Sequence, residues 1–265
     1  MTRVLCAQLA PRVADLPYNR ALSVAAVCGA AARGADVIVL PELVTSGYRL
    51  ESETEAASVA ISADDPLFAE WGRAAPEAVV VGGFCERGAD GRLYNSAAVI
   101  DRGELTAVYR KAHLWDAEKH LFTPGNAAPP VVPTSRGRIG VLICYDLEFP
   151  EVTRKLALAG AELLTAPTNW PLIPRPDGEH APEVIIARAA ARVNRIAIAC
   201  CDRSGTERGT AWNEGTCIIG TDGWVLAETD GTGIARADLD LGRAKDKALA
   251  ENADAFGDRR PELYS

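Results

Sequence analysis

Residues 138–168, RIGVLICYDLEFPEVTRKLALAGAELLTAPT, decide the fold because the residue pattern changes twice within them. RIGVLICYD is an almost unbroken apolar run, as in a strand covered on both faces. It passes directly into FPEVTRKLALAGA, where Pro150 suits a first helical turn and Gly160 a helix end. AELLTAPT then resumes the strand pattern. A strand, a crossover helix and a second strand in so short a span form a βαβ unit with parallel strands.

The same alternation continues outward in both directions. Toward the N-terminus, RVLCAQLA reads as a strand, residues 19–33 as an Ala-rich helix and ADVIVLPE as a second buried strand. A helix over 66–75 and a strand at AVVVGGF follow, and LYNSAAVID and LTAVYRK flank Arg102 and Gly103 as a hairpin. Toward the C-terminus come a helix over 181–194 and a strand RIAIACCD. The strands GTCIIGT and GWVLAET bracket Asp222 and Gly223, and IARADLD closes the set. So many strands with about four helices exceed one doubly wound sheet. They predict an α/β fold of two mixed sheets packed face to face, a four-layer α-β-β-α sandwich. With no repeat and no composition break, the chain reads as one domain over 1–265. Its polar end, about 246–265, is expected to pack on a neighbouring subunit or stay loose.

At 265 residues, 48% hydrophobic and 24% charged, the sequence lies in the ordinary globular range. A net charge of −8 with no Lys/Arg cluster offers nothing to a phosphate backbone or an anionic membrane, so neither nucleic acid nor membrane is an expected partner. The opening apolar stretch stops at Pro11 and Arg12, too short for an export signal, and no run approaches the roughly 18 residues of a membrane span. A cytoplasmic location is the expectation. Seven cysteines without regular spacing argue against a disulfide framework. Cys200 and Cys201 are adjacent in an apolar strand and neither CxxC nor HExxH spacing occurs, so no metal is expected; no cofactor is expected either.

Open α/β sheets bind ligands beyond the carboxyl ends of their strands, which draws attention to reactive side chains there. Glu42 follows an apolar strand in VIVLPELVTSGY, where desolvation would raise a carboxyl pKa toward the range of a general base. Lys111 ends LTAVYRK and opens a loop. Cys144 lies where RIGVLICYD meets its helix, a turn that would expose a thiol, lower its pKa and supply N–H donors for an oxyanion. Taken alone, each has an ordinary alternative: a solvated Glu, a surface Lys and a buried core thiol.

Taken together, the segments PELVTSGY, YRKAHLWDAEKHLFTPG and ICYDLEFPE resemble the nitrilase superfamily of carbon–nitrogen hydrolases. The resemblance extends over the opening strand, the NSA of RLYNSAAVID, APTNWP and GTCIIGTDGWVL, nearly the whole chain. It implies a Glu42, Lys111 and Cys144 triad and a second glutamate at Glu118 that orients Lys111 or water. It also implies an oxyanion site made by Lys111 and the backbone N–H of Tyr145, and a cysteine thioester intermediate. The motif CYDLEFPE is similar to the amidase side of the family, because nitrile-hydrolysing members usually carry Trp and Glu directly after the cysteine. A small-molecule amide is therefore the expected substrate. N-carbamoyl amino acids, ω-amides and nitriles are the alternatives, and a catalytically silent binding module of the same fold is the non-enzymatic one.

Trp115, Asn169 and Trp170 are expected at the pocket mouth, with Arg175 as a group that could bind a carboxylate. A Cys-His arrangement would have to use His113, His120 or His180, of which His113 reads more naturally as a brace for its loop. The resemblance also implies a homodimer or a larger even-numbered homo-oligomer.

Overall fold

The computed structural model describes residues 1–264. Strand β1 (Thr2–Ala7), helix α1 (Leu16–Ala32) and strand β2 (Val37–Val39) form the first βαβ unit, with Val4 opposite Val37 in parallel. Helices α2 (Glu53–Val59) and α3 (Pro66–Ala74) lead to β3 (Val79–Arg87), parallel to β2, and then to the antiparallel β4 (Leu93–Asp101) and β5 (Glu104–Arg110). In the second half β6 (Val131–Thr134) is an edge strand. Strands β7 (Gly137–Val141), β8 (Leu163–Pro167) and β9 (Ala197–Cys201) run parallel through α4 (Pro150–Leu158) and α5 (Pro182–Asn194).

A short hairpin, β10 (Thr206–Glu207) and β11 (Thr210–Ala211), precedes the antiparallel β12 (Cys217–Ile219) and β13 (Val225–Glu228). Strand β14 (Ile234–Leu239) crosses back to pair with β1, and β15 (Ala248–Ala250) and β16 (Ala253–Asp254) make a last hairpin. The result is two six-stranded sheets, ordered β14-β1-β2-β3-β4-β5 and β13-β12-β9-β8-β7-β6.

Side-chain alternation in the first sheet separates its two faces. Leu5, Ile38, Val80 and Ile100 pack with Val27, Leu67 and Trp71 of the outer helices. Their neighbours Val4, Val37, Val79 and Val99 join the core shared with the second sheet and with Leu156, Val184 and Ala187 of α4 and α5. These are the four layers that the strand count predicted. Among the described residues, no helix is long and apolar enough to cross a membrane.

Several element boundaries differ from the sequence expectation, each for a local reason. Helix α1 starts before residue 19 because Asp15 accepts a hydrogen bond from Tyr18 N and Pro17 fits the first turn. Helix α2, not anticipated, is capped by Ser52, which accepts from Glu55 N. The run RIGVLICYD leaves the sheet at Val141, and Cys144–Glu148 form a 3₁₀ turn before α4. The polar C-terminal stretch folds back onto its own chain. Lys247 Nζ donates to Asn194 O at 2.9 Å and stands over the Phe256 ring, which Arg154 also covers. Ser265, the final residue of that stretch, lies outside the described residues.

Candidate active site

Beyond the last residue of β2 the backbone stays bonded to β3: Leu40 N donates to Val81 O, Gly83 N to Pro41 O, and Val44 N to Gly83 O. A side chain at Gly83 would meet the Glu42 backbone at 2.5 Å, so only glycine admits this approach. Glu42 is thereby set into the interior with no exposed surface. Its Oε1 accepts from Lys111 Nζ at 2.7 Å and from Asn95 Nδ2 at 2.7 Å, whereas Oε2 has no hydrogen-bond partner. Burial, then the charge of Glu118, outweigh the Lys111 ammonium and raise the Glu42 pKa to about 7.

Lys111 closes β5, its N–H donating to Asn95 O and its carbonyl accepting from Gly125 N. Its ammonium is fully buried between two carboxylates, Glu42 and Glu118, the latter at 2.7 and 2.9 Å. Burial opposes its charge, but the two carboxylates prevail and hold its pKa well above the ordinary value. Glu118 comes from a 3₁₀ helix, Asp116–His120, and also accepts from Tyr48 OH at 2.6 Å and Trp115 N at 3.3 Å. Lys111, Glu42 and Glu118 therefore form one buried cluster, two carboxyl groups around a single ammonium.

Cys144 has φ of +45°, a left-handed conformation that a non-glycine residue adopts only under constraint from its surroundings. The constraint is visible: Asp146 Oδ2 accepts from Ile143 N and Tyr109 OH, and its Oδ1 from His113 N. The turn places the sulfur in a cavity of about 430 Å³. This corrects the sequence expectation for the thiol. Cys144 is only 6% exposed, and burial, then the Glu42 charge, push its pKa well above the ordinary thiol value instead of lowering it. The Tyr145 N–H, expected as an oxyanion donor, lies in the first turn of the 3₁₀ segment, where N–H groups lack intrahelical acceptors.

The walls are aromatic. Trp115, 40% exposed, meets Tyr145 edge-on at 4.8 Å, and Tyr48 meets Trp212 at 5.4 Å. Trp170 lines the cavity from a buried position, with its backbone N–H held by Asp202. Asn169 is placed differently from its expected mouth position: it is buried, donates to the Glu42 carbonyl at 2.9 Å, and presents its own carbonyl 3.9 Å from Cys144 Sγ. Arg175 stays outside the cavity and donates to Asn213 Oδ1.

The histidines are placed elsewhere, His120 exposed at the end of the 3₁₀ helix that carries Glu118. His113 Nδ1 lies 2.7 Å from Asp146 Oδ1 and the ring stacks on Phe149 at 3.9 Å, so it braces the loop; His180 faces Glu228 at 3.6 Å. Cys200 and Cys201 are buried in β9, Cys200 directly across from Cys217. Among the described residues, no group of three or more His, Cys, Asp or Glu side chains is placed to hold a metal ion.

Sequence reading missed Asn95, Tyr48 and Asp146. The signal for Asn95 was an amide inside the apolar strand LYNSAAVID, since a buried polar group requires a partner.

The chain is similar to known proteins over its whole length. A family model described as carbon-nitrogen hydrolase matches residues 3–248. A probable nitrilase of Schizosaccharomyces pombe is 33% identical, covering 98% of this chain and 96% of that protein. The deaminated glutathione amidase of Mus musculus is 31% identical, covering 99% and 91%. A solved structure of the amidase from Nesterenkonia sp. AN1 superposes with a TM-score of 0.83 at 29% identity, covering 100% of this chain and 98% of that one. In a variant of that amidase the acetamide moiety of fluoroacetamide is added covalently at the active-site cysteine. By fold, length and family match, the chain belongs to the carbon-nitrogen hydrolase family, within the nitrilase superfamily and among its amidase-type hydrolases of non-peptide bonds.

Proposed function

We propose that the protein hydrolyses small amides to carboxylic acid and ammonia, with Cys144 as nucleophile. The observation that carries this reading is the convergence of three strand ends. They bring a thiol, a carboxyl group with a pKa of about 7 and a fixed ammonium into one buried site. In the first half-reaction Glu42 Oε2 takes the thiol proton and Cys144 Sγ bonds to the amide carbon. The carbonyl electron pair moves to oxygen, opposite Lys111 Nζ and the Tyr145 N–H. The tetrahedral species collapses by breaking the carbon–nitrogen bond, and nitrogen leaves as ammonia with the proton from Glu42. Water then gives a proton to Glu42 and attacks the thioester. The acid departs, and the proton returns to the sulfur.

Glu42 suits both directions because its pKa lies near neutrality, where a group accepts and returns protons with similar ease. Glu118, itself held by the Tyr48 hydroxyl, fixes the ammonium, Asn95 fixes one carboxylate oxygen, and the other is left free for the proton. Several amidases stand among the relatives, and a variant of the Nesterenkonia amidase carries the acetamide moiety of fluoroacetamide on its active-site cysteine, which supports a nucleophilic thiol here.

Ammonia release from aliphatic and aromatic amides, ω-amides, N-carbamoyl amino acids and nitriles, measured for the parent and Cys144→Ala proteins, tests the reading. Amides should be turned over, and Cys144→Ala should lose about 10⁴- to 10⁶-fold. Turnover confined to nitriles would discard the amide assignment, and a fully active Cys144→Ala protein would discard the thioester.

A further inference from the structure

We propose that Glu148 and Glu183 form an ammonium subsite in the cavity over Cys144, selecting small amides that carry a protonated amine at the far end of the acyl chain. The inference rests on the amidase reading and names its substrate class. Both carboxylates line the cavity that holds the sulfur. Glu183, on the first turn of α5, is 6% exposed, yet no cation among the described residues pairs with it. Its hydrogen-bond partner is the neutral Asn213 amide, at 3.1 Å. Arg175, the cation with a charge effect on Glu183, is bonded to the other side of Asn213 and does not reach the cavity.

Glu148 stands at the mouth, four residues beyond the nucleophile on the same 3₁₀ turn. A four-residue step along such a helix advances about 8 Å, which separates the subsite from the sulfur by the length of a short acyl chain. Burial, and next the Glu183 charge, raise the Glu148 pKa, and burial raises that of Glu183. Each shift marks a carboxylate whose charge the protein compensates poorly, and a cation supplied by the substrate would relieve both.

The other charges facing the cavity do not reverse this. Asp116 is negative, Glu118 is balanced by Lys111, and Arg49 is exposed and pairs with neither Glu148 nor Glu183. Trp115, Tyr145 and Trp170 supply aromatic rings to the lining, which suit an ammonium and its methylene chain. A substrate carboxylate would meet two like charges. The predicted order is therefore ammonium amide, then neutral amide, then acidic ω-amide.

Three amides of matched length separate these cases: δ-aminovaleramide, its neutral isostere hexanamide, and glutaramate. Calorimetric binding to the Cys144→Ala protein reads the subsite without turnover, and kcat/KM of the parent, Glu148→Gln and Glu183→Gln proteins reads its effect on catalysis. The expected result is binding of δ-aminovaleramide about tenfold tighter than hexanamide, with an ammonium-to-neutral kcat/KM ratio that falls about tenfold in either Gln variant. Glu148 is exposed, so its Gln variant stays informative if Glu183→Gln does not fold.

Equal binding of the two amides, or a ratio insensitive to both substitutions, overturns the subsite. Selective binding of δ-aminovaleramide with no ammonia released from any amide would instead overturn the amidase reading and leave the subsite standing.

Discussion

Strand β2 runs out through Leu40 and Pro41 into Glu42, and strand β7 through Leu142 and Ile143 into Cys144. Both are interior strands, β2 parallel to both neighbours and β7 parallel to β8 and antiparallel to β6, and both exits contain a residue forced to positive φ, Leu43 at +48° and Cys144 at +45°. The backbone solution is the same, but the side chains are held differently. Glu42 is locked by Lys111 and Asn95 on one oxygen and by Gly83 beneath its backbone, whereas the Cys144 thiol has only the distant Asn169 carbonyl at 3.9 Å. One exit presents a fixed charge, and the other a side chain free to form a bond. A nucleophile that must travel to a carbonyl carbon and back is better left unrestrained, while the groups that stabilise charge gain from being fixed beforehand.

Removing the fixed charge breaks this contrast most severely. Lys111→Met should lower kcat by at least about 10²–10³-fold, the range for loss of one oxyanion donor. It also leaves two carboxylates buried without a cation, and the Glu42 pKa should rise further because the Lys111 charge was lowering it. A carboxyl group whose folded pKa lies above its unfolded value binds more protons when folded. The variant should therefore lose stability as pH rises from about 4.5 to beyond 7, and regain it on acidification. Thermal melts across that range check the sign. Melts that rise with pH would mean that Glu42 is not the group left unpaired.

Glu118→Gln should sharpen the comparison more gently. Catalysis needs one proton shared between Glu42 and Cys144, so kcat/KM of the parent should fall on the acid side with an apparent pKa of about 7. The Glu118 charge helps to raise that value, so replacing it by an amide should move the acid limb to lower pH and reduce the maximal rate through a less firmly held Lys111. An unmoved limb would detach Glu118 from the electrostatics of Glu42.

The two exits were legible in the sequence to different degrees. Apolar strands followed by Pro41 and Glu42, or by Cys144 and a helix, gave both positions, and the alternation of strands with few helices gave the two-sheet sandwich. What alternation does not encode is long-range. That Asn95 would hold Glu42 depends on β4 lying beside β3, and that Tyr48 would reach Glu118 depends on a loop closing over residues 70 positions away. The left-handed backbone at Cys144 is equally hidden, because no glycine marks it. It is imposed by Asp146, whose contacts come from the β5 end and the loop that follows. For the same reason the thiol reads from sequence as activated and in the structure as neutral: burial, the larger influence, comes from the tertiary fold.

The smallest expected effect concerns His113, which lies next to the site and outside the chemistry. Its ring shares Asp146 Oδ1 with its own backbone N–H, while Ile143 N and Tyr109 OH keep the other oxygen. In His113→Ala the Asp146 carboxylate therefore retains three of its four donors, and the turn that sets Cys144 should survive. The loss is one hydrogen bond and the stack on Phe149, about 1 kcal/mol of stability, seen as a small drop in Tm with kcat/KM reduced less than about tenfold. If His113→Ala were as inactive as Cys144→Ala while the Glu42→Gln protein kept its activity, the base would be the imidazole. The comparison would then have to be redrawn between β7 and the loop after β5.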